Sequence, residues 1–388
     1  MNLLRSSKVG FATLAISASV GIAMSASSSA HTLAPRISAE SFTNNFSAMT
    51  ALKPIAAEGS GSIVEILPDT TTSTRYAEFD TPDFNKAAKT AGLPSADYKS
   101  ENAGASDQSF ITDAKAAIAA GAKVLLIDPE DSGTGVTVEN YAAAHGVDVI
   151  DYDRLDLGGP ADPYVSFNNV EVGKLIGEGF VSCAKTWLKG KTPNVIVMHG
   201  APTDNNATLF SEGYMGVLDP LFKSKKYIEA ANTAGTWNPT SPAPDALDEF
   251  KAAYTAHPDA NSALTPNDEN AAPIITYLIS KGIKPYTFPM TGQDATLTGL
   301  DNILSGYQCG TVYKAIYKEA QAAVALALYE RAGKKPPSSL LNATSVDPTN
   351  HKKVKSVLLT PVWVTPKNMK STILADKFVP KKQLCAGS

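Results

Sequence analysis

Polar side chains suited to binding hydroxyl groups follow several short apolar runs of this sequence. Asp204, Asn267 and Asp294 each come a few residues after such a run, and Arg75 and Arg154 do so too. Carboxylate, amide and guanidinium groups can each hold two hydroxyls at once, so they suit an uncharged ligand with many hydroxyls. The polar residues in these positions include Arg75, Tyr76, Arg154, Asp204, Asn206, Asn267, Asp294 and Lys314.

These positions are predicted to lie at the carboxyl ends of parallel strands. Short apolar runs alternate with longer amphipathic ones along most of the chain, which is typical of α/β proteins with helix-flanked parallel sheets. About eleven segments, 288–291 among them, are strand candidates. This is more than a single hydrophobic core usually holds, so we expect two sheets. Open parallel sheets bind ligands beyond the carboxyl ends of their strands, which would place the polar set in a crevice there.

A purely structural explanation accounts for part of this pattern. Asp and Asn after a strand also cap the following helix, because their side-chain oxygens accept hydrogen bonds from its first free N–H groups. Capping does not explain Arg75, Arg154 or Lys314.

Motifs for nucleotide binding and for several kinds of catalysis are missing. The sequence has no G-x-G-x-x-G, no G-x-x-x-x-G-K-[ST] and no G-x-S-x-G, and its five histidines lack zinc-ligand spacing. Asp204 and Asp294 could in principle form the acid/base pair of an exported glycoside hydrolase. We favour a role for both as ionised hydrogen-bond acceptors, because each lies beside amides and near candidate basic partners. We therefore expect a protein that uses no cofactor or metal.

The composition is that of an ordinary globular protein preceded by an export signal. The 388 residues include 34 Lys and Arg against 38 Asp and Glu, and the formal charge of −4 gives no large basic surface for nucleic acid. Arg5 and Lys8 precede an apolar, small-residue stretch, which predicts a secretory signal peptide over residues 1–30. Polar interruptions make that stretch a poor membrane anchor. No cysteine lies at the cut after Ala30, so we expect a protein without a lipid anchor, periplasmic or extracellular, with a loosely held polar leader over 31–60.

Three cysteines, Cys183, Cys309 and Cys385, are too scattered for a metal cluster. In an oxidising compartment we expect one disulfide and one remaining thiol. Three pairings are possible, and the spacing does not choose between them.

Several motifs, in order along residues 62–375, resemble the xylose-binding proteins of bacterial ABC sugar importers. The segments that carry the resemblance are Tyr-Asp-Arg at 152–154, Tyr-Val-Ser-Phe-Asn-Asn at 164–169 with Val-Gly at 172–173, Pro-Thr-Asp-Asn-Asn-Ala at 202–207, Asn-Asp at 267–268, Gly-Gln-Asp at 292–294, Thr-Val-Tyr-Lys at 311–314 and Leu-Leu-Thr-Pro at 358–361.

This resemblance implies the periplasmic binding protein fold of type I, in which two Rossmann-like lobes joined by three segments close on a ligand by a hinge. We assign residues 61–165 with 313–345 to the N-terminal lobe and 166–312 with 346–388 to the C-terminal lobe. The family further implies a protein that is not an enzyme and that delivers a monosaccharide to the permease subunits of an ABC importer. We expect it to be a monomer. In the family, an Arg that bonds sugar hydroxyls and an aromatic residue that stacks on the sugar occupy the positions of Arg75 and Tyr76. The family's other hydrogen-bonding positions match Arg154, Asp204, Asn206, Asn267, Asp294 and Lys314.

One position departs from the family pattern. The family's second stacking tryptophan lies four residues after an earlier one, but here Trp237 matches the earlier one and Ser241 occupies the stacking position. Trp237 either reaches the sugar or is an ordinary core residue. D-xylose is the leading ligand, with glucose or another larger aldose as the alternative.

Two further expectations come from these residues. A ligand-gated transcription regulator of similar lobe architecture would need an N-terminal helix-turn-helix, which residues 1–60 do not offer. Replacing Arg154 with alanine is expected to cost several kcal/mol of sugar affinity with little loss of stability.

Overall fold

Two groups of strands organise residues 37–70 and 72–384, the part of the chain that this computed structural model describes. The strands are β1 (Ser62–Leu67), β2 (Tyr98–Asn102), β3 (Ala122–Ile127), β4 (Asp148–Tyr152), β5 (Tyr164–Phe167), β6 (Asn194–Val197), β7 (Ile228–Asn232), β8 (Ser262–Leu264), β9 (Thr311–Tyr313), β10 (Ala343–Val346), β11 (Lys353–Leu359) and β12 (Val362–Val364). The larger sheet has seven strands in the order β10-β11-β5-β4-β3-β1-β2, parallel except for the β10–β11 pair. The smaller group contains the parallel sheet β7-β6-β8 and the antiparallel pair β9–β12.

Helices connect and cover these strands. The α-helices are α1 (Lys53–Glu58), α2 (Thr81–Thr90), α3 (Asp107–Ala119), α4 (Ser132–Ala144), α5 (Asn169–Trp187), α6 (Asn205–Lys223), α7 (Ala246–Ala256), α8 (Asp268–Ser280), α9 (Leu297–Leu304), α10 (Ile316–Arg331) and α11 (Lys381–Leu384). Shorter helical turns are the 3-10 helices Ala39–Ser41, Ser47–Leu52 and Ser95–Asp97 and the π-helical turns Tyr76–Asp80 and Lys370–Leu374. No helix within the described ranges combines the length and apolarity needed to cross a bilayer.

The chain passes between the two strand groups three times. After β5 it enters α5, which packs on β8, β9 and β12. After β9 it returns through α10, which packs on β1, β3, β4 and β5, and it crosses again between β11 and β12. This arrangement confirms the predicted α/β class with two parallel-sheet lobes joined by three segments.

The sheets divide the chain differently from the predicted lobe boundaries. The predicted C-terminal lobe comprises 166–312 and 346–388, but β11 pairs with β5 from Ser356–Tyr164 to Leu359–Phe167. Backbone hydrogen bonds therefore hold both strands, and β10 beyond them, in the larger sheet. Only the segment from β12 onward returns to the smaller group.

Residues 37–60 do not form the loose polar leader predicted for 31–60. Phe42, Phe46, Met49 and Leu52 are at most 1 % exposed and belong to the main hydrophobic core. Met49 and Leu52 lie in the 3-10 helix Ser47–Leu52, which packs against α2 and α10, and Phe42 and Phe46 flank the short helical turns of this segment. Four large apolar residues spread over a polar segment make no periodic run, so only the packed chain shows that they are core. The predicted signal peptide, residues 1–30, lies outside the described residues.

Three strand assignments also differ from the sequence-based prediction. Segment 288–291, predicted as a strand, forms no regular ladder, although the carbonyl oxygens of Pro289 and Met290 accept hydrogen bonds from the N–H groups of Ala263 and Cys309. Pro289 has no N–H to donate, which interrupts the pairing. Strands β2 and β10 were missed because both are short, rich in polar residues and partly exposed, at the two edges of the larger sheet.

Cys183 and Cys309 form a disulfide that joins α5 to the segment before β9. This selects one of the three pairings left open by the sequence, and Cys385 lies outside the described residues. The two half-cystines are separated by 126 residues, so the bond closes a long loop within the smaller strand group.

Removing this disulfide with Cys183→Ser/Cys309→Ser should lower the free energy of unfolding by about 2–5 kcal/mol, because the unfolded chain regains the entropy of an open loop. Urea unfolding of the variant and of the wild-type protein, each with and without reductant, measures this. Reductant should shift the wild-type midpoint and leave the variant unchanged. Equal midpoints for all four samples would show that the bond does not stabilise the fold.

Candidate functional site

All nine predicted binding residues line one cavity between the two strand groups. The space that small molecules could occupy among the lining atoms is about 30 Å³, enough for one or two water molecules, so the cavity is nearly closed in this structure. The predicted residues in its wall are Arg75, Tyr76, Arg154, Asp204, Asn206, Trp237, Asn267, Asp294 and Lys314. Five other residues complete the wall, namely Thr72, Ser73, Asp153, Phe210 and Gln293.

Strand ends and helix starts position these side chains, as the predicted topology requires. Arg75 and Tyr76 lie between β1 and α2, and Arg154 follows β4 by two residues. Asp204 and Asn267 are the N-cap residues of α6 and α8 in the smaller group. The cavity therefore receives side chains from both strand groups.

Helix capping uses only part of each capping side chain. Asp204 Oδ1 accepts the N–H of Asn206 at 2.7 Å, and Asn267 Oδ1 accepts the N–H of Asn270 at 3.0 Å. Asp204 Oδ2 instead faces the cavity side chains Arg154 and Trp237. Capping and ligand binding are thus compatible roles for these residues rather than alternatives.

Arg75 is held by carboxylates on two sides. Its Nε and Nη2 donate to both oxygens of Asp80 at 2.9 and 2.8 Å, and Nη2 also donates to Glu319 Oε2 at 2.8 Å. Nη1 lies 3.1 Å from Asp153 Oδ1 without hydrogen-bond geometry. Burial alone would lower the pKa of Arg75, but Asp153, Asp80 and Glu319 raise it well above its usual value. Arg75 is a permanent cation with one edge turned toward the cavity.

Arg154 connects the two strand groups. Its Nη1 donates to Asp128 Oδ1 at 3.0 Å on its own side, and its Nε donates to Asp204 Oδ2 at 3.0 Å on the other. Its Nη2 has no hydrogen-bond acceptor among the described residues. Two nitrogens therefore fix the guanidinium, and the third is available to a ligand.

Asp153, which was not among the predicted binding residues, is the charge partner of the basic groups. It has a φ of 58°, the left-handed region, which turns the chain sharply after β4. Burial raises its pKa, but Arg75, Lys314 and Arg154 outweigh burial and lower the pKa to about 2. Asp153 is therefore ionised throughout the physiological pH range.

Lys314 lies between two carboxylates at the end of β9. Its Nζ is 3.2 Å from Asp294 Oδ1 and 3.8 Å from Asp153 Oδ1. Burial lowers the pKa of Lys314, but Asp294 and Asp153 raise it above the ordinary value. Oδ1 of Asp294 accepts no hydrogen bond from any described residue, so this buried oxygen can take a hydroxyl donor.

Aromatic rings cover another part of the wall. Trp237 is partly buried and donates its Nε1–H to Asp204 Oδ2 at 2.8 Å, and its ring meets Phe210 edge to face, with centroids 6.4 Å apart. Tyr76 is buried, with the Arg75 and Arg154 guanidiniums 5.5 and 5.8 Å from its ring centre. These rings can cover the apolar C–H surface of a ligand.

Asn206 positions the wall from the side of the smaller group. Its Nδ2 donates to the carbonyl of Asp153 at 2.9 Å, and its Oδ1 accepts from Asn169 at 2.7 Å. Phe210, which was missed from the sequence, lies one helical turn after Asn206 on α6. Residues four apart share a helix face, so this spacing was the signal that could have found it.

The charges favour a neutral ligand. Arg75, Arg154 and Lys314 are each already paired with buried carboxylates, so the cavity has no uncompensated positive group for an anion. Asp204 is occupied by a guanidinium, an indole N–H and a backbone N–H, which suits an ionised acceptor rather than a proton donor.

Comparisons with known proteins agree with this geometry. The family described as periplasmic binding protein domain matches residues 64–335. The D-xylose-binding periplasmic protein of Haemophilus influenzae is 32 % identical over 262 residues, which are 67 % of this chain and 74 % of that protein. The protein of the same name from Escherichia coli is 32 % identical over 266 residues, 68 % of this chain and 76 % of that protein.

A solved structure extends the comparison to the fold. The ABC transporter solute-binding protein of Clostridium phytofermentans, with β-D-glucose bound, superposes with a TM-score of 0.73 at 25 % identity. The match covers 83 % of this chain and 99 % of that one. These relatives are binding proteins and not enzymes.

Proposed function

Because this chain belongs to the periplasmic binding protein family, we propose that it binds a monosaccharide between its two strand groups and delivers it to the permease of an ABC importer. The observation that carries the proposal is the set of buried, charge-paired side chains around the cavity, in which Arg75 Nη1, Arg154 Nη2 and Asp294 Oδ1 have no hydrogen-bond partner among the described residues. Hydrogen bonds from sugar hydroxyls to such ionised groups each contribute about 1.5–3 kcal/mol net.

D-xylose is the ligand we propose, with D-glucose as the second candidate. Two relatives at 32 % identity are named for D-xylose, and a third at 32 % identity is named a multiple sugar-binding protein. The solved structure at 25 % identity holds β-D-glucose. A site built around a particular hydroxyl leaves buried polar groups unpaired when that hydroxyl is absent or inverted, so selection between sugars can be steep.

Closure would couple sugar binding to the shape that a permease reads. Contacts between the two sides include Arg154 with Asp204, the Asn206 amide with the Asp153 carbonyl, and the Thr74 N–H with Glu269 Oε1 at 3.1 Å. A sugar that bonds to both sides adds to these contacts only in the closed form, and so shifts the population toward it.

Isothermal titration of the purified protein with D-xylose, D-glucose, D-ribose and L-arabinose tests the proposal. We expect saturable binding with D-xylose tightest. If D-glucose binds more tightly than D-xylose, D-glucose becomes the proposed ligand. Absence of binding to all four would contradict the monosaccharide proposal.

We also propose that the protein is exported, with cleavage after Ala30 and without a lipid anchor. Cell fractionation followed by N-terminal sequencing of the mature protein checks this. Recovery in the cytoplasm with residues 1–30 still attached would contradict it.

Trp237→Ala should weaken sugar binding about tenfold or more, because the cavity loses an aromatic wall and Asp204 loses a donor. Trp237→Phe keeps a ring and should lose less. Trp187→Ala is the matched control, since Trp187, the last residue of α5, packs against Tyr286 and does not line the cavity. Titration with the tightest sugar measures all three, and unchanged affinity in Trp237→Ala would make Trp237 a core residue only.

A further inference from the structure

Three buried carboxylates converge in the larger strand group, outside the wall of the cavity. Glu139 belongs to α4, Asp151 to β4 and Asp156 to the loop between β4 and β5. Each residue is at most 3 % exposed, and one oxygen from each lies within 4.8 Å of the other two.

Each of these side chains has an oxygen without a partner. Asp151 Oδ2 accepts the N–H of Asp156 at 3.1 Å, and Glu139 Oε2 accepts the N–H of Ala161 at 2.6 Å. Glu139 Oε1, Asp151 Oδ1 and Asp156 Oδ2 are buried and accept no hydrogen bond from the described part of the chain. Because an unpaired buried polar atom is costly, three such oxygens in one cluster indicate a missing positive partner.

Backbone, rather than basic side chains, surrounds the cluster. A Cβ atom on Gly135 would come within 1.8 Å of Asp156 Oδ2, and one on Gly159 within 2.2 Å of Glu139 Oε2. Lys352 is near, but its Nζ donates to the carbonyls of Pro160 and Ala161. The glycines leave room for the carboxylates, and the nearby lysine is directed at other oxygens.

Burial and mutual repulsion both affect the pKa values of the three carboxyl groups. Burial is the largest cause that raises the pKa of each group, to about 7 for Glu139, and the carboxylates raise the pKa values of Asp151 and Asp156 further by repulsion. Asp347 adds to this repulsion, whereas Lys352 reduces it.

We propose that Glu139, Asp151 and Asp156 bind one divalent metal ion of the Ca²⁺ type. Ca²⁺ takes oxygen ligands at about 2.3–2.6 Å, so two oxygens on opposite sides of it lie about 5 Å apart, which the cluster matches. Asp153 and Arg154 lie in the segment between Asp151 and Asp156, so the ion would brace the turn that carries two cavity residues. The proposal does not depend on which sugar binds.

Equilibrium dialysis of EDTA-treated protein against CaCl₂ or MgCl₂ at pH 8, followed by metal analysis, tests this site. We expect one Ca²⁺ per chain and at least about a tenfold loss of affinity in Glu139→Gln and in Asp156→Asn. Glu65→Gln is the matched control, because Glu65 is also fully buried in this sheet but bonds to Tyr98 and lies outside the cluster.

Two results would overturn the proposal. If the wild-type protein takes up neither ion, the cluster is held by shared protons instead. If both cluster variants bind Ca²⁺ as tightly as the wild type, the ion binds elsewhere. Should the variants fail to fold, thermal unfolding of the wild type decides: Ca²⁺ must raise the midpoint and EDTA must reverse the rise. An unchanged midpoint would also overturn the proposal.

Discussion

Replacing Arg154 with alanine should weaken sugar binding by about 100-fold or more, since removing one partner of a buried, hydrogen-bonded charge pair costs about 2–5 kcal/mol. The same substitution should also destabilise the protein. Asp128 is fully buried and would lose its guanidinium partner, a loss of about 3–5 kcal/mol. The sequence alone suggested little effect on stability, and the buried pairing with Asp128 corrects that expectation. Titration and urea unfolding of one sample give both quantities.

A second substitution separates the two effects. In Arg154→Ala/Asp128→Asn the unpaired charge is removed, so most of the stability should return. Sugar affinity should stay low, because the donor to the ligand and the bond to Asp204 are still missing. Wild-type affinity in Arg154→Ala would exclude Arg154 from the binding site.

Replacing Arg75 with methionine should lower the free energy of unfolding by about 3–5 kcal/mol at neutral pH, because it removes the cation that three buried carboxylates share. Asp153 keeps Lys314 as a second basic neighbour, so the loss falls mainly on Asp80 and Glu319. Burial raises the pKa of Glu319, and Arg75 partly offsets this rise. In the variant Glu319 should therefore keep its proton to higher pH in the folded state than in the unfolded state. A group whose pKa is raised in the folded state stabilises the protein less as the pH rises above its unfolded-state pKa. The loss in free energy of unfolding of Arg75→Met relative to the wild type should therefore be larger at pH 8 than at pH 5.

Urea unfolding at both pH values measures this prediction. Adding Glu319→Gln to Arg75→Met should recover part of the loss and reduce its pH dependence. Lys174→Met is the control, because Lys174 is half exposed, pairs with Glu171 and Glu178, and should change stability by less than about 1 kcal/mol. A deficit in Arg75→Met no larger than that of the control would show that the buried cluster is not held by Arg75.

The cavity wall was largely predictable because its chemistry follows from chain position. Arg75, Arg154 and Lys314 could not be explained as caps, and parallel strands bring their following residues to one edge. Phe210 and Asp153 were missed for a different reason. One is an apolar residue in a helix and the other looks like an ordinary turn residue, so neither stands out until the neighbouring charges are in place.

The sequence by itself determined the alternation of strands and helices, the α/β class and the polar residues at strand ends, because periodicity and residue type are local properties. Only the tertiary structure decided the Cys183–Cys309 pairing, the burial of Phe42 and Met49, and the place of β11 in the larger sheet. It also decided which carboxylate pairs with which cation. Each of these depends on contacts between residues far apart in the chain, whose burial and distance no local pattern encodes.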